Sequence, residues 1–394
     1  MKFKNIVVVV MLIIISVFTS CNKTPENIKN KEHYSNSEVS FNKEYINVEG
    51  LKESSQQALN NNYNQLKVSK VNKNIPTELH NMEFIQISNF EGRYKEVFDS
   101  FLEKFNWQTN SITKQKSKDG LLSCSFSNEN KKIYGCVSDN GFISFLAPEC
   151  YDDPFVSTAE TVKIYHIDRD DDDRDIYHLS DGDCSVKEAK DYVLKWVNEK
   201  YKKYDPEFDY QIKTIIAKKA GNTYCYDITV QQLYKGVVLD NLAIVNDKNN
   251  TKHLKFIMHK LRLTMHKKSE ISSFTNGCGI IKPAIKGNVE KVMSLESALK
   301  ICQNKFTAYN EIKITDICVK YSLEPQYSND DPYDSYYYAG KKFKSHVYWE
   351  FVIDVPHDQI LKSGDTDTFG DVRKYIYVDM QSGEIEFDFE GVLQ

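Results

Sequence analysis

The chain carries nine histidines and nine cysteines, enough imidazole and thiol for nucleophilic or metal chemistry if their spacing allowed it. Nucleophilic catalysis needs a Cys or Ser beside a base, although the partners need not be neighbours in sequence. The local patterns that mark such sets are missing: there is no His-Glu-x-x-His, no Gly-x-Ser-x-Gly and no glycine-rich phosphate loop. A Cys/His hydrolase stands only as a remote alternative, and neither catalytic residues nor a cofactor is expected. One acidic run has partial metal logic. Asp168, Asp170 and Asp172 fall on the first three alternate positions of a calcium-binding loop, which supplies oxygen ligands at that spacing. The pattern then breaks, with Asp173 in place of the required Gly and Leu179 in place of the bidentate Glu. The run therefore reads first as a solvated, self-repelling linker. Cys124 and Cys136 sit in two strand-like runs flanking Ser127 to Lys131 and are the candidate disulfide, should a hairpin set them opposite each other. Buried free thiols are the favoured reading, since no CxxC or dense Cys framework appears, and Cys225 and Cys318, in apolar or alternating runs, are expected in the core.

Cys21 offers another chemistry. Lys2 and Lys4, the apolar run Ile6 to Phe18, and the small polar pair Thr19-Ser20 make the three parts of an export signal. That run is too short to span a bilayer, which takes about 20 helical residues. The segment Phe18-Thr19-Ser20-Cys21 resembles the lipobox of bacterial lipoproteins, with Phe18 where Leu, Val or Ile is usual. The resemblance implies cleavage before Cys21, a diacylglyceryl thioether on its sulfur, and a lipid-anchored place on the bacterial cell membrane, facing outside the cytoplasm. Two acyl chains anchor stably where one binds marginally. A plain secretory peptide or an uncleaved anchor are the alternatives.

Loss of Lys2 and Lys4 with the signal takes the formal charge from −5 to about −7. A mildly acidic body argues against nucleic acid as a partner. With 41% apolar and 12% aromatic residues, the chain can build a real core.

The elements that must position these residues divide the chain by composition. Residues 22–75 are rich in Asn, Lys, Ser, Glu and Gln and read as a flexible polar tether with a short helix near Leu51 to Leu66. Residues 76–165 read as an α+β domain: an amphipathic helix from Gly92 to Phe105, then short strands at Leu121 to Phe126, Ile133 to Val137 and Phe142 to Leu146. Residues 166–183 are the acidic linker. Beyond it a weak repeat appears, with Ser185 and Ser294 each placed as the N-cap of a helix. Each helix is followed by strands: Tyr210 to Ala217, Thr223 to Leu233, Val237 to Val245 and Lys252 to His266 in residues 184–275. In residues 288–394 they are Ile312 to Leu323, Val347 to Val355, Tyr375 to Asp379 and Ile385 to Phe389. A helix on an antiparallel sheet buries both apolar faces, so the expected class is multi-domain α+β.

The run Tyr375-Ile376-Tyr377-Val378-Asp379-Met380-Gln381-Ser382-Gly383-Glu384-Ile385 resembles the closing hairpin of PepSY-type domains. In the earlier unit, Tyr234-Lys235-Gly236-Val237-Val238 resembles their Tyr-x-Gly-Ile/Val-Pro-Val segment, with Val238 where Pro is common. The resemblance implies two PepSY-like units, and with them a non-catalytic module of exported or membrane proteins that binds, inhibits or regulates. It transfers no catalytic residue.

Two surfaces could serve such a role. The stretch Lys252 to Lys268 interleaves basic and apolar residues whose parity switches near His259, implying a bulge in a strand with an exposed basic face. The loop Tyr327 to Lys344 concentrates Tyr333, Tyr336, Tyr337 and Tyr338, side chains suited to contact surfaces because they bury area with few torsions to freeze. A protein partner or exported enzyme is the expected target. A small molecule or glycan polymer taken up by the tyrosine loop is the alternative.

Overall fold

The computed structural model describes residues 42–64, 66–69, 75–86, 93–104, 112–116, 122–128, 133–138, 141–146, 160–169, 172–220, 222–239, 242–246, 252–256, 261–276, 281–306, 312–325, 342–353 and 374–387. A short strand β1 (Tyr45–Asn47) and helix α1 (Leu51–Ala58) open the fold, followed by β2 (Leu66–Val68) and β3 (His80–Gln86). Val48, Leu51, Ala58, Tyr63 and Leu66 are all buried, so this segment is part of the core. That corrects the expected tether over residues 42–69, while residues 22–41 lie outside the described residues. The polar composition hid apolar residues whose spacing is too wide to register as an amphipathic pattern but which suffice to dock short elements.

Helix α2 (Tyr94–Lys104) lies on a meander of β4 (Thr113–Lys116), β5 (Leu122–Asn128), β6 (Ile133–Ser138) and β7 (Ile143–Leu146). Its Phe98 and Phe101 meet Phe126 and Phe145 at ring separations of 5.3 to 5.9 Å. Gly135 is needed beneath those rings, because a Cβ there would come within 2.5 Å of Phe126 and 2.8 Å of Phe145.

Strand β8 (Glu160–His166) leads to the hairpin β9 (Ile176–Leu179) and β10 (Gly182–Ser185), then to helix α3 (Val186–Trp196), which continues as a π-helical turn over Val197–Tyr201. The described residues 172–175 of the acidic stretch between β8 and β9 are docked, in contrast to the expected linker. Asp173 and Asp175 present their carbonyls to the first N–H groups of α3, at 2.9 Å from Lys187 N and 3.0 Å from Val186 N. Their carboxylates meet Lys190 and Lys163. Helix starts leave N–H groups unsatisfied and carry positive potential, so an acidic run is drawn to one. Ser185 completes the start with a capping box to Glu188.

The remaining strands are β11 (Asp209–Ala220), β12 (Thr223–Tyr234), β13 (Val237–Leu239), β14 (Leu242–Asn246), β15 (Lys252–Phe256), β16 (Leu261–Met265), β17 (Ser273–Thr275), β18 (Ile281–Asn288) and β19 (Lys291–Met293). Helix α4 (Leu295–Lys305) follows, with β20 (Ile312–Pro325), β21 (Lys342–Ile353), β22 (Lys374–Asp379) and β23 (Ile385–Phe387). The strand foreseen from Lys252 to His266 is in two pieces: β15 pairs with β14, and β16 pairs with β12. The bulge foreseen near His259 lies outside the described residues. The basic face is not simply solvent-exposed either, since Arg262 is turned onto Asp227 in the sheet.

The fold is mixed α/β and mostly sheet. Among the described residues most strands join one branched, open sheet, and β1–β19, β9–β10 and β14–β15 form three separate two-stranded ladders. One arm runs β8-β11-β12-β16-β17-β7-β6-β5-β4, and another runs from β12 through β13 to β20, β21, β22 and β23. Strand β2 lies parallel to β20, while β3 joins β21 to β18. Ladders thus cross every boundary expected near 165, 183 and 275, and residues 43–394 form one compact unit. The core lines the helix-bearing face, where α4 buries Leu295, Ala298, Leu299 and Cys302 and Trp349 Nε1 donates to Met293 O at 3.0 Å.

Candidate functional site

Strands β20, β21 and β22 alternate, so one face of each feeds the core under α4. The other face carries a polar set: Cys318 and Lys320 on β20, His346, Tyr348 and Glu350 on β21, Tyr375, Tyr377 and Asp379 on β22. The register places Lys320 opposite Tyr348, Cys318 opposite Glu350, Glu350 opposite Tyr377 and Tyr348 opposite Asp379. This face is buried too. Tyr348, Val352, Tyr375 and Tyr377 make a second, small apolar cluster apart from the main core.

Two networks share that face. In the first, Lys320 and Glu350 are only 3% and 1% exposed and meet at 2.7 Å. Glu350 also accepts from Tyr377 Oη at 3.1 Å and from Cys318 Sγ at 3.3 Å. A buried carboxylate is tolerated when an opposite charge and hydrogen bonds replace its hydration, and both are present. Lys213 of β11 reaches over the Tyr375 ring, 5.5 Å from its centre, a cation–π contact on the same face. In the second network, His346 lies between Glu324 and Asp379, at 2.9 and 3.2 Å. Burial works against an imidazolium, yet the two carboxylates outweigh it and the His346 pKa is raised. Asp379 is held below the usual carboxylate range, because hydrogen bonds from His346, Ser382 N and Gln381 N overcome its own burial.

Two other buried polar groups lie in the first half of the sheet. Asp227 is bound by Lys218 at 2.9 Å and by Arg262 Nε at 2.9 Å. Asp205 accepts from Tyr210 Oη at 2.7 Å and Gln232 Nε2 at 2.6 Å on one oxygen, while its Oδ1 is buried with no hydrogen-bond partner. Burial pushes the Asp205 carboxyl up to about 7.

The residues singled out from sequence fare differently. Cys124 and Cys136 are free, buried thiols. The β5–β6 register sets Cys124 against Val137 and Cys136 against Ser125. That one-residue offset puts the two sulfurs on opposite faces of the ladder, so the candidate disulfide is not formed and the reading as buried free thiols describes them. Cys225 and Cys318 are buried as expected. Of the calcium candidates, Asp172 is engaged by the Arg174 guanidinium at 2.6 Å and Asp168 sits in a 3₁₀ turn facing Gln231, while Asp170 lies outside the described residues. Among the described residues no group of three His, Cys, Asp or Glu side chains could hold a metal ion. Cys21 and the tyrosines Tyr333, Tyr336, Tyr337 and Tyr338 also lie outside the described residues.

The Lys320–Glu350 and His346–Asp379 pairs escaped the sequence reading, although one signal was present. Glu350 interrupts the apolar run Trp349 to Ile353, and a charge inside such a run must be either on an exposed face or paired.

No protein family and no curated protein matches the chain. In fold it is similar to the crystal structure, at 1.45 Å resolution, of an uncharacterised protein from Eubacterium rectale ATCC 33656. The identity is 11%, the TM-score 0.52, and the match covers 82% of this chain and 90% of the other. The likeness concerns fold alone. No helix among the described residues is long and apolar enough to cross a membrane.

Proposed function

We propose that the chain is a non-catalytic lipoprotein, held at the outer face of a bacterial cell membrane through lipid on Cys21, that binds or modulates a protein partner or exported enzyme. The observation that supports this reading best is how the reactive side chains are used. His346 has both ring nitrogens turned to carboxylates, and Cys318 donates to Glu350 rather than facing an imidazole. A working nucleophile and base would face each other; these groups face structural partners instead. The finer architecture belongs to the same proposal: two PepSY-like units, each opened by an eleven-residue helix capped by Ser185 or Ser294. Their characteristic turns are Lys235-Gly236, with φ of 48° and 81°, and the turn ending in Gly383, with φ of 77°. Left-handed backbone of this kind is what tight hairpins require.

A protein target is favoured by exposed apolar side chains on adjoining segments. Val162 and Ile176 are 45% and 64% exposed, and their segments are tied together by Lys163–Asp175 at 2.7 Å and Tyr165–Tyr177 at 2.6 Å. The test is crosslinking in the intact envelope with tagged full-length protein, with Cys21→Ala as the unanchored control. Reproducible capture of one protein, weakened in the control, is expected. Capture of nothing specific would count against the proposal and turn the search to small ligands and glycans.

A further inference from the structure

His346 Nε2 lies 2.9 Å from Glu324 Oε2, and Nδ1 lies 3.2 Å from Asp379 Oδ2. A neutral imidazole has one N–H, so only the imidazolium can donate to both carboxylates at once. Asp379 turns its second oxygen, Oδ1, to the backbone N–H groups of Gln381 and Ser382, each at 2.7 Å. It thereby shapes the turn that closes the last hairpin. That turn grips the first strand: Lys43 Nζ donates to Ser382 O at 3.0 Å and Tyr45 Oη to Gln381 O at 3.1 Å. Met293, paired with Tyr45 in the β1–β19 ladder, donates its N–H to Met380 O at 2.8 Å.

We propose that these contacts form a pH-sensitive clasp, in which protonated His346 holds Asp379 and the turn in the shape that retains residues 43–47. The charges around the imidazole come from every strand packed there. Glu324 faces it from β20 and Asp379 from β22; Lys344 stands opposite Glu324 in the ladder. Glu384 and Glu386 bear on Tyr348, whose ring lies 6.1 Å from the imidazole. The Lys320–Glu350 pair lies farther along the same face. When the proton leaves, one ring nitrogen becomes an acceptor facing a carboxylate. The longer contact, to Asp379, is the one that gives way, and the turn loses the group that orients its cap.

The sign follows from linkage. The His346 pKa is raised, so its contribution is complete below the ordinary histidine value of about 6.5 and is lost as pH climbs through the raised value. Asp379 is lowered, so its contribution is complete above the ordinary value of about 3.9 and is lost only in stronger acid. The clasp is tightest between those limits. In a chain anchored at Cys21, a consequence that rests on the lipoprotein reading, release would lengthen the leash by up to about 3.5 Å per residue freed.

Amide hydrogen exchange on the full-length protein tests the clasp whether or not Cys21 carries lipid. After correction for intrinsic rates, segments 43–50 and 379–385 are expected to open at least about tenfold more at pH 8.5 than at pH 5.5, with β5 and β6 unchanged. His346→Gln should abolish that difference. Equal protection at both pH values, or the same loss in the variant, overturns the proposal. Should the variant fail to fold, the imidazole titration of the wild-type protein by NMR decides. A midpoint above 6.5 that coincides with the exchange midpoint is expected, and a midpoint at or below 6.5 overturns it.

Discussion

Lys320 and Glu350 are buried together, and neither can be spared alone. Lys320→Met leaves an uncompensated carboxylate, and the expected loss is about 3–5 kcal/mol in chemical denaturation. Lys320→Met with Glu350→Leu should recover most of it, because replacing a whole buried pair by apolar side chains is often close to neutral. A double variant as unstable as the single one would show that the pair does more than neutralise itself. Asp205 gives a second residue-scale test. Its carboxyl is raised to about 7 by burial, so between about 3.9 and 7 the folded state keeps a proton that the unfolded state has released. Stability should fall as pH rises through that window, by about 1.4 kcal/mol per unit at most. Urea midpoints from pH 4.5 to 7.5 should slope downward for the wild-type protein and flatten for Asp205→Asn. Apart from the break that Glu350 makes in an apolar run, none of the three stood out in the sequence, because burial of a charge depends on which segments meet, and pairings such as β13 with β20 are long-range.

At the scale of elements, local chemistry was the most legible part. Helices α3 and α4 begin where Ser185 and Ser294 stand, and their Oγ atoms accept from Glu188 N and Ser297 N. Ser185→Ala and Ser294→Ala are each expected to cost about 1 kcal/mol in thermal or chemical unfolding, and Ser185→Ala also removes half of a capping box. Gly383→Ala should cost more. Its φ is 77°, and a Cβ would come within 2.5 Å of Met293 Cε and 3.0 Å of Lys43 Nζ. Turn chemistry is written in adjacent residues, which is why Lys235-Gly236 and Ser382-Gly383 were readable. Register is not: a slip of one residue moved Cys124 and Cys136 to opposite faces, and composition alone could not tell a docked acidic run from a free one.

Over the whole molecule, the expected succession of domains gives way to a branched sheet whose ladders join distant parts of the chain. The N-terminal segment is the clearest case. Leu66–Val68 pairs with Ile312–Ile314, Tyr45–Asn47 with Lys291–Met293, and α1 packs on α4. Removing residues 43–69 should therefore lower the unfolding temperature of the remainder or abolish its cooperative transition. The balance of binding and anchoring is tested most directly by titrating purified residues 43–394 with the protein captured in the envelope and following the heat of association. Saturable binding at a fixed stoichiometry, with neither protein chemically altered, is the expected result. No saturable binding, or covalent change in the captured protein on mixing, would contradict a non-catalytic binding role.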